Sequence, residues 1–363
     1  MRSRLSTLFD SLLPVVATLA ALAVGAVMLL FLGANPIEGY AALFGGAFGN
    51  FNAVADTVVK ATPLLLVGLG ICIAFRGGVI NIGGEGQMIL GGLAATALAL
   101  ALPGLPAFLA LPLGLAAGFV AGAVWGGISG YLKARFNVNE ILSTIMMNAI
   151  AVQLMNFLLR GPMIDKLQAN AAAIPQTIRL AAAYDLPRWA PTRLHLGALI
   201  AIGLAFVVYF FLWRTTIGYR IRAVGLNKYA SRYAGIAVNR YMVLSLLLSG
   251  AFSGLAGAVQ VYGVTHRMVT DGTAAGFTGS AGFNGIVAAL FGQLHPIGVI
   301  PAAFFFGALL VGANKLQRVT QVPGALITTL NGLVVIFVVS SELWRRHRTR
   351  RRAIATVTKT AQG

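Results

Sequence analysis

Residues 76–92 read RGGVINIGGEGQMILGG, which places Glu85 and Gln87 inside a segment that is otherwise apolar enough to lie in a membrane. An ionisable side chain at the centre of a bilayer costs roughly 2.5–3.5 kcal/mol on insertion scales, so such groups usually face a polar cavity or a partner. The glycines of this stretch weaken a continuous helix, and irregular backbone at membrane depth persists only where it is buried in protein or lines a cavity. The stretch therefore predicts part of a transport pathway.

The composition of the whole chain predicts a polytopic membrane protein. Hydrophobic residues make up 58% of the sequence, charged residues make up 10%, and the mean hydropathy is +0.83. Several apolar runs approach the ~20 residues that a helix needs to span a bilayer. We expect an all-α protein of about ten transmembrane helices, at 12–33, 53–75, 77–102, 108–132, 141–159, 194–213, 241–263, 279–294, 297–314 and 324–340. A short loop that contains Glu38 is expected between the first two spans.

The charge distribution orients these spans. The net charge is +18, but the basic residues lie between spans, as expected for loops that stay in the cytoplasm rather than for a nucleic-acid-binding protein. Both termini are predicted to be cytoplasmic. We expect one transmembrane domain across 1–363, with a first half at about 12–160, an external loop at about 161–193, a second half at about 194–341 and a basic tail at 342–363, which we expect to contact membrane lipid.

The two halves resemble each other weakly. Residues 130–152 and 313–335 share a basic pair, a turn and an apolar helix that carries an asparagine, and the glycine-rich 77–102 corresponds to 276–293. Each of the glycine-rich segments is the third in a set of five. Because five is odd, the halves would have opposite topology, and inverted repeats with glycine-interrupted spans are a recurring transporter design.

Residues 214–240, here named the coupling segment, form the most one-sided internal loop. The segment contains six basic residues and no acidic residue. Charge alone marks it as cytoplasmic. Its tyrosine and aliphatic residues also predict a short amphipathic helix that docks on a cytoplasmic partner.

Several motifs together resemble the permease subunits of ATP-binding-cassette (ABC) importers of the branched-chain amino acid, ribose and nucleoside family, and most closely its nucleoside and simple-sugar subgroup. They are NIGGEGQMILGG (81–92), NEILSTIMMNAIA (139–151), FLLRGP (157–162), IGYRIRAVGLNKYASRYAGIAVNR (217–240), LSGAFSGLAGA (248–258) and GFNGIVAALFGQLHPIG (282–298). They cover most of the chain in the right order.

The resemblance implies a transport subunit and not an enzyme, located in a bacterial inner (plasma) membrane. It would pair with a second permease, commonly as a heterodimer, and receive nucleosides or related simple sugars from an extracytoplasmic binding protein. No GxxxxGK[ST] phosphate loop is present, so no cofactor is expected on this chain and ATP would bind a partner subunit. That subunit would dock on the coupling segment, where the predicted contact residues are Gly218, Arg220, Arg222, Gly225, Asn227, Arg232, Gly235, Ile236 and Arg240.

The predicted pathway residues are polar or aromatic side chains within spans. They are Asn81, Glu85, Gln87, Asn148, Phe283, Asn284 and Asn331. Phe283 offers a ring to a nucleobase or sugar face. Each asparagine can instead make an interhelical hydrogen bond, worth about 0.6–2 kcal/mol.

Glu85 leaves two interpretations open. Its carboxylate needs water or a cationic partner, for which Arg76, Lys60 and Lys133 are candidates. An ion-coupled secondary transporter with Glu85 in the coupling site is therefore an alternative. The sequence shows no catalytic constellation and no histidine spacing typical of a metal site, so an enzyme and a metal centre are not expected.

Overall fold

The computed structural model describes residues 19–166 and 174–323, together with positions 16, 329, 332, 333, 336, 337 and 340. Most of the predicted tenth span, Asn331 and the basic tail lie outside the described residues. The helices are α1 (Leu19–Phe31), α2 (Pro36–Phe48), α3 (Phe51–Arg76), α4 (Gly84–Ala101), α5 (Ala107–Phe136), α6 (Glu140–Arg160), α7 (Gly197–Arg214), α8 (Thr216–Leu226), α9 (Lys228–Tyr233), α10 (Val238–Gln260), α11 (Ala274–Thr278), α12 (Ala281–Phe291) and α13 (Pro296–Thr320).

Six of the described helices are long and apolar enough to cross a membrane, which supports a polytopic helical membrane protein. They are α3, α5, α6, α7, α10 with the π-turn that extends it to Thr265, and α13. Helices α1 and α12 are apolar but shorter. The count of ten spans and the inverted repeats stay predictions.

The segment between the first two predicted spans is a helix, and the expectation of a short loop there was wrong. Asn35 begins α2, because its side-chain oxygen accepts a hydrogen bond from Ile37 N at 3.0 Å and Pro36 occupies the first helical turn. Its glycines serve close packing rather than a turn. A Cβ added to Gly46 would lie 2.7 Å from Lys315 Cβ, so α2 packs directly on the second half of α13.

The chain divides into two compact units, residues 1–54 with 308–363 and residues 55–307. Within the second unit, α10 packs on α4 and α5 through small residues. A Cβ on Gly122 would lie 2.3 Å from the Gly250 carbonyl oxygen, and a Cβ on Gly254 would lie 2.2 Å from the Gly118 carbonyl oxygen. Glycines four residues apart thus let α5 and α10 approach to backbone contact, as is common between membrane helices.

Two helices of this unit begin within the interior of the protein rather than at its edge. Residues 79–82 are non-helical before α4, and a break at Gly279 and Ser280 separates α11 from α12. Both break residues have left-handed φ values, 58° and 61°, which end one helix and redirect the next. The expected continuous span at 279–294 is therefore a helix of 11 residues, about 16 Å long and too short to cross a bilayer alone. We call α4 and α12 the half-helices.

Candidate functional site

The N-termini of the two half-helices meet. A Cβ on Gly282 would lie 2.4 Å from Glu85 N, and a Cβ on Gly84 would lie 3.2 Å from Gly282 Cα. Only glycine permits this approach without separating the backbones. The contact places the first turns of α4 and α12 side by side.

Glu85 caps α12 from the neighbouring half-helix. Its side chain is 1% exposed, and its carboxylate accepts hydrogen bonds from Phe283 N at 3.1 Å, from Gly282 N and from the Thr278 hydroxyl. Helix α12 has no side-chain cap of its own, since its N-cap residue Ser280 makes no capping hydrogen bond. A carboxylate at this position satisfies free N–H groups and interacts favourably with the helix dipole.

The predicted cationic partners of Glu85 lie elsewhere, and this expectation was wrong. Lys133 Nζ pairs with the Glu140 carboxylate at 2.9 Å. Arg76 Nε donates to the carbonyl oxygen of Leu294 at 3.1 Å. Lys60 is exposed. The charge that faces Glu85 is the partial positive charge of a helix N-terminus, which a local sequence pattern does not reveal.

Asn81 and Gln87 form a reciprocal amide pair at the base of α4. Asn81 Nδ2 donates to Gln87 Oε1 at 2.9 Å, and Gln87 Nε2 donates to Asn81 Oδ1 at 3.1 Å. Asn81 also donates to Ser249 Oγ of α10 at 2.8 Å and accepts from Gly83 N at 2.8 Å. Both amides are buried, and their hydrogen bonds hold the non-helical segment against α4 and α10.

Asn148 of α6 holds the same segment from the other side. Its Oδ1 accepts from Gly86 N at 2.8 Å, and its Nδ2 donates to the Ile82 carbonyl at 2.9 Å. Thr144, one turn earlier, accepts from Ile82 N at 3.3 Å. These are the contacts of a structural side chain, whereas a role for Asn148 in the pathway stays a prediction.

Phe283 and Asn284 lie on the first turn of α12 and are the more accessible members of the predicted set. The Phe283 side chain is 49% exposed. Asn284 is half-buried, and its amide makes no hydrogen bond to any residue that the structure describes. Both side chains are therefore available to a ligand or a second subunit. Asn331 lies outside the described residues.

The coupling segment folds as two short capped helices. Thr215 Oγ1 accepts from Gly218 N at 3.1 Å and begins α8, while Asn227 Oδ1 accepts from Tyr229 N at 2.9 Å and begins α9. Ile221 and Val224 form its buried face. The outer surface of the segment exposes aromatic and aliphatic side chains, since Tyr233 is 97% exposed and Leu226 is 88% exposed.

Four of the predicted contact residues are used within the chain. A Cβ on Gly218 would lie 2.1 Å from the Phe211 carbonyl oxygen, and a Cβ on Gly225 would lie 2.0 Å from the Arg76 carbonyl oxygen. Arg220 donates to the Tyr241 hydroxyl at 2.9 Å, and Arg222 Nε donates to the Leu212 carbonyl at 2.9 Å. These residues fix α8 to the ends of α3, α7 and α10. A fifth predicted residue, Asn227, is the cap of α9.

The remaining predicted contact residues lie on the surface or beside it. Arg232, Gly235 and Arg240 are exposed, and Ile236 is half-buried. Gly235 has a φ of 76° and a Cβ there would meet nothing within 4 Å, so it serves the turn after α9. The outward face of the segment thus combines arginine with tyrosine, the residue types enriched where proteins dock.

Two histidines, His195 and His266, belong to a polar cluster at the start of α7 and after the end of α10. These are the ends of the two helices that lie away from the coupling segment. Arg188 donates to the Gly263 carbonyl at 2.8 Å and contacts His266, which also pairs with Asp185. His195 is 1% exposed. Burial, with Arg188 and His266 adding to it, lowers the pKa of His195 to about 4, so its ring is uncharged at neutral pH.

Thr278, Ser249, Trp213 and His295 were not predicted as functional residues from the sequence. Thr278 precedes a Gly-Ser pair, a recognisable helix-break signal, but nothing local relates it to Glu85. The guanidinium groups of Arg76 and Arg222 each lie over the Trp213 ring, which also packs beside the His295 ring. Such clusters depend on tertiary contacts and leave no local pattern.

One known protein family matches most of this chain. The family described as branched-chain amino acid transport system, permease component, matches residues 53–339. The chain belongs to this family. As a permease it is a transport subunit and not an enzyme, and in an ABC transporter the hydrolysis of ATP belongs to a separate subunit.

Three relatives illustrate the family. This permease is 39% identical to the guanosine ABC transporter permease NupP of Bacillus subtilis, over 94% of this chain and 95% of NupP. It is 35% identical to the glucose ABC transporter permease TsgB13 of Haloferax volcanii, over 92% of this chain and 88% of the relative. Bacillus subtilis has a second guanosine permease, NupQ, which is 33% identical over 70% of this chain and 79% of NupQ. None of these names supports an ion-coupled transporter.

Proposed function

We propose that this permease imports nucleosides or related simple sugars, and that it pairs with a second, different permease. The substrate class rests on relatives named for guanosine and glucose. The pairing rests on the two guanosine permeases of one Bacillus species, of which this chain matches one over nearly its whole length and the other over less. An extracytoplasmic binding protein delivers the substrate.

The observation that carries the substrate proposal is the capping of the half-helices by side chains of the permease. Free N–H groups at a helix N-terminus are ready-made anion sites. Here Glu85 occupies the first N–H groups of α12, and Asn148 occupies Gly86 N of α4. A negative substrate would also meet the Glu85 carboxylate. The arrangement favours an uncharged solute, with Phe283 stacking on it and Asn284 donating or accepting hydrogen bonds.

The coupling segment is the proposed docking site of the ATPase subunit, which binds ATP. Its exposed tyrosines and arginines supply an amphipathic surface, and its buried face contacts the α3 end directly through Gly225. Movement of the segment would therefore displace the backbone that leads to Asn81 and α4. ATP binding to the partner would shift the permease between outward-open and inward-open states.

The proposal includes the orientation of the permease in the membrane. The coupling segment, the basic tail at 342–363 and both termini are cytoplasmic, and the protein lies in a bacterial plasma membrane. Ten spans in two inverted sets of five would place the meeting point of α4 and α12 near mid-membrane. Interrupted helices at that depth would be buried in protein or line a polar cavity, where irregular backbone is tolerated.

Reconstitution tests the transport proposal. The permease, its partner permease, the ATPase and the binding protein are placed in proteoliposomes, and uptake of labelled guanosine and glucose is measured. We expect ATP-dependent uptake that uncharged nucleosides inhibit and guanosine monophosphate does not. Uptake driven by a proton or sodium gradient without ATP would contradict the proposal.

Cross-linking tests the docking site. Cys72 is the single cysteine of the chain and is buried, so a cysteine introduced by Tyr233→Cys is selectively reactive. We expect it to cross-link to the ATPase subunit, whereas the control Phe108→Cys, at an exposed position of α5, should not. Absence of a cross-link at position 233 in an assembled complex would refute docking there.

A further inference from the structure

The geometry points to Arg76 and Trp213 as positioning residues that transmit movement of the coupling segment to half-helix α12. This inference rests on the proposed function, because it requires that the ATPase moves the coupling segment. It identifies a second connection, made by side chains, besides the backbone contact of Gly225 with the Arg76 carbonyl at the end of α3. Trp213 has no predicted role in the pathway or in docking, and Arg76 was predicted only as a candidate partner of Glu85.

Trp213 joins the coupling segment to α3. It lies in the last turn of α7, and the guanidinium carbons of Arg222 and Arg76 each lie 5.4 Å from its ring centroid. Arg222 is further fixed by its hydrogen bond to the Leu212 carbonyl. Neither guanidinium contacts a carboxylate within the described parts of the chain, so the indole and backbone carbonyls are their partners.

Arg76 extends this connection to the C-terminal end of α12. Its Nε donates to Leu294 O at 3.1 Å, and its Nη2 donates to Gln293 O at 3.4 Å. These two carbonyls belong to the turn that follows α12. The planar guanidinium can therefore lie against the Trp213 ring and donate to two carbonyls at once, which an ammonium group cannot reproduce.

The turn that Arg76 holds has an unusual backbone. Gln293 and Leu294 have φ values of 58° and 54°, a left-handed pair without glycine. Residues other than glycine rarely adopt this conformation, and it persists where surrounding contacts impose it, often in segments that switch. The Arg76 hydrogen bonds are such contacts, so their loss would release the turn.

His295 completes the cluster without adding charge. Its ring lies 5.1 Å from the Trp213 ring and 5.4 Å from the Tyr209 ring, centroid to centroid. Burial and the nearby Arg76 charge lower the pKa of His295, so the ring is neutral at pH 7 and does not repel the guanidinium groups. A shift of α8 can thus pass through a packed cluster to the turn and to α12, which carries Phe283 and Asn284.

The direct test compares Arg76→Gln and Trp213→Leu with the unchanged transporter in proteoliposomes. We expect the ATPase subunit to co-purify normally while the substrate moved per ATP hydrolysed falls by about tenfold, the rate change that ~1.4 kcal/mol produces. Arg135→Gln is the matched control, because Arg135 is exposed at the end of α5 and its side chain makes no hydrogen bond or ion pair with the described residues. An unchanged ratio in assembled Arg76→Gln would overturn the inference.

Milder variants keep the test decisive if those proteins fold poorly. Arg76→Lys retains the charge but not the fork of donors, and Trp213→Phe retains a ring with a weaker face for a cation. We expect both to assemble and to lower the transport ratio by a few-fold. Normal ratios in both variants would overturn the inference.

A double variant distinguishes transmission in series from separate structural defects. If Arg222 and Arg76 act through the same indole, Arg222→Gln combined with Arg76→Gln should lower the ratio no further than either change alone. A multiplicative fall would contradict serial transmission. The cross-link at position 233 separates this result from failure of the proposed docking site, since it reports docking whatever the ratio.

Discussion

Replacing Glu85 should damage α12 before it damages the rest of the permease. The Glu85 carboxylate supplies the cap that α12 lacks, through the Phe283 and Gly282 N–H groups and the Thr278 hydroxyl. Glu85→Ala removes the acceptor of the Phe283 and Gly282 N–H groups, whereas the Thr278 hydroxyl can still donate to the Ala274 carbonyl oxygen at 3.0 Å. Glu85→Gln keeps one carbonyl oxygen but loses the charge and introduces a donor.

The expected loss of unfolding free energy follows from the hydrogen bonds that the Glu85 carboxylate accepts. Each buried donor left without a partner costs about 1–3 kcal/mol, and a partly buried charge at a helix terminus contributes up to ~2 kcal/mol. Relaxation of the structure, together with water near the half-exposed Phe283 in the first turn of α12, recovers part of this free energy. We expect Glu85→Ala to lower the free energy of unfolding by about 3–5 kcal/mol and Glu85→Gln by about 1–2 kcal/mol.

Thermal unfolding in detergent and uptake in proteoliposomes measure both effects. Glu38→Gln is the matched control, because Glu38 is exposed in the first turn of α2, where an acidic side chain contributes about 0.3–1 kcal/mol. Glu85→Gln should assemble with its partners yet transport more slowly, since the first turn of α12 carries Phe283. A Glu85→Ala permease with unchanged thermal stability and uptake would refute the capping role.

Three other substitutions have defined outcomes. Gly282→Ala places a Cβ 2.4 Å from a backbone nitrogen and should cost about 1–3 kcal/mol in thermal unfolding, whereas Gly203→Ala, with nothing within 4 Å, should be neutral or stabilising. Asn148→Asp keeps the acceptor for the α4 N–H group but faces the Ile82 carbonyl with an oxygen, so it should lower both stability and uptake. His195 has a folded-state pKa of about 4 and an unfolded value of about 6.5, so the unfolded chain takes up the proton first and stability falls by ~3 kcal/mol as the pH drops between these values. In His195→Gln, melting temperatures from pH 7.5 to 4.5 should show a smaller fall, and an identical fall in both proteins would contradict the assignment.

The membrane class of the fold was predictable because it depends on local composition. Apolar length identifies helices such as α3 and α5 without any tertiary contact. Short helices were harder to predict from the sequence. Helix α2 was mistaken for a loop because its glycines, which bring it against α13, have the same local pattern as turn glycines.

The polar stretch at 76–92 also marked the site from sequence, but not the roles of its members. Glu85 and Asn81 stand out because they interrupt an apolar run. Their partners do not, since Thr278 and Ser249 lie 193 and 168 residues away in the chain. A buried carboxylate predicts that something must stabilise it, and only the three-dimensional structure shows that a helix end does so.

The way Glu85 is stabilised bears on which solutes this family member accepts. A branched-chain amino acid, the solute in the family description, carries a carboxylate that an uncapped helix N-terminus could bind. In this permease the first N–H groups of α12 already bind the Glu85 carboxylate, so the carboxylate of a zwitterionic amino acid would have to displace it and meet its charge. A nucleoside or sugar needs neither step, because aromatic and amide side chains suffice to hold it. The side-chain caps of the half-helices therefore argue for an uncharged substrate independently of the relatives' names.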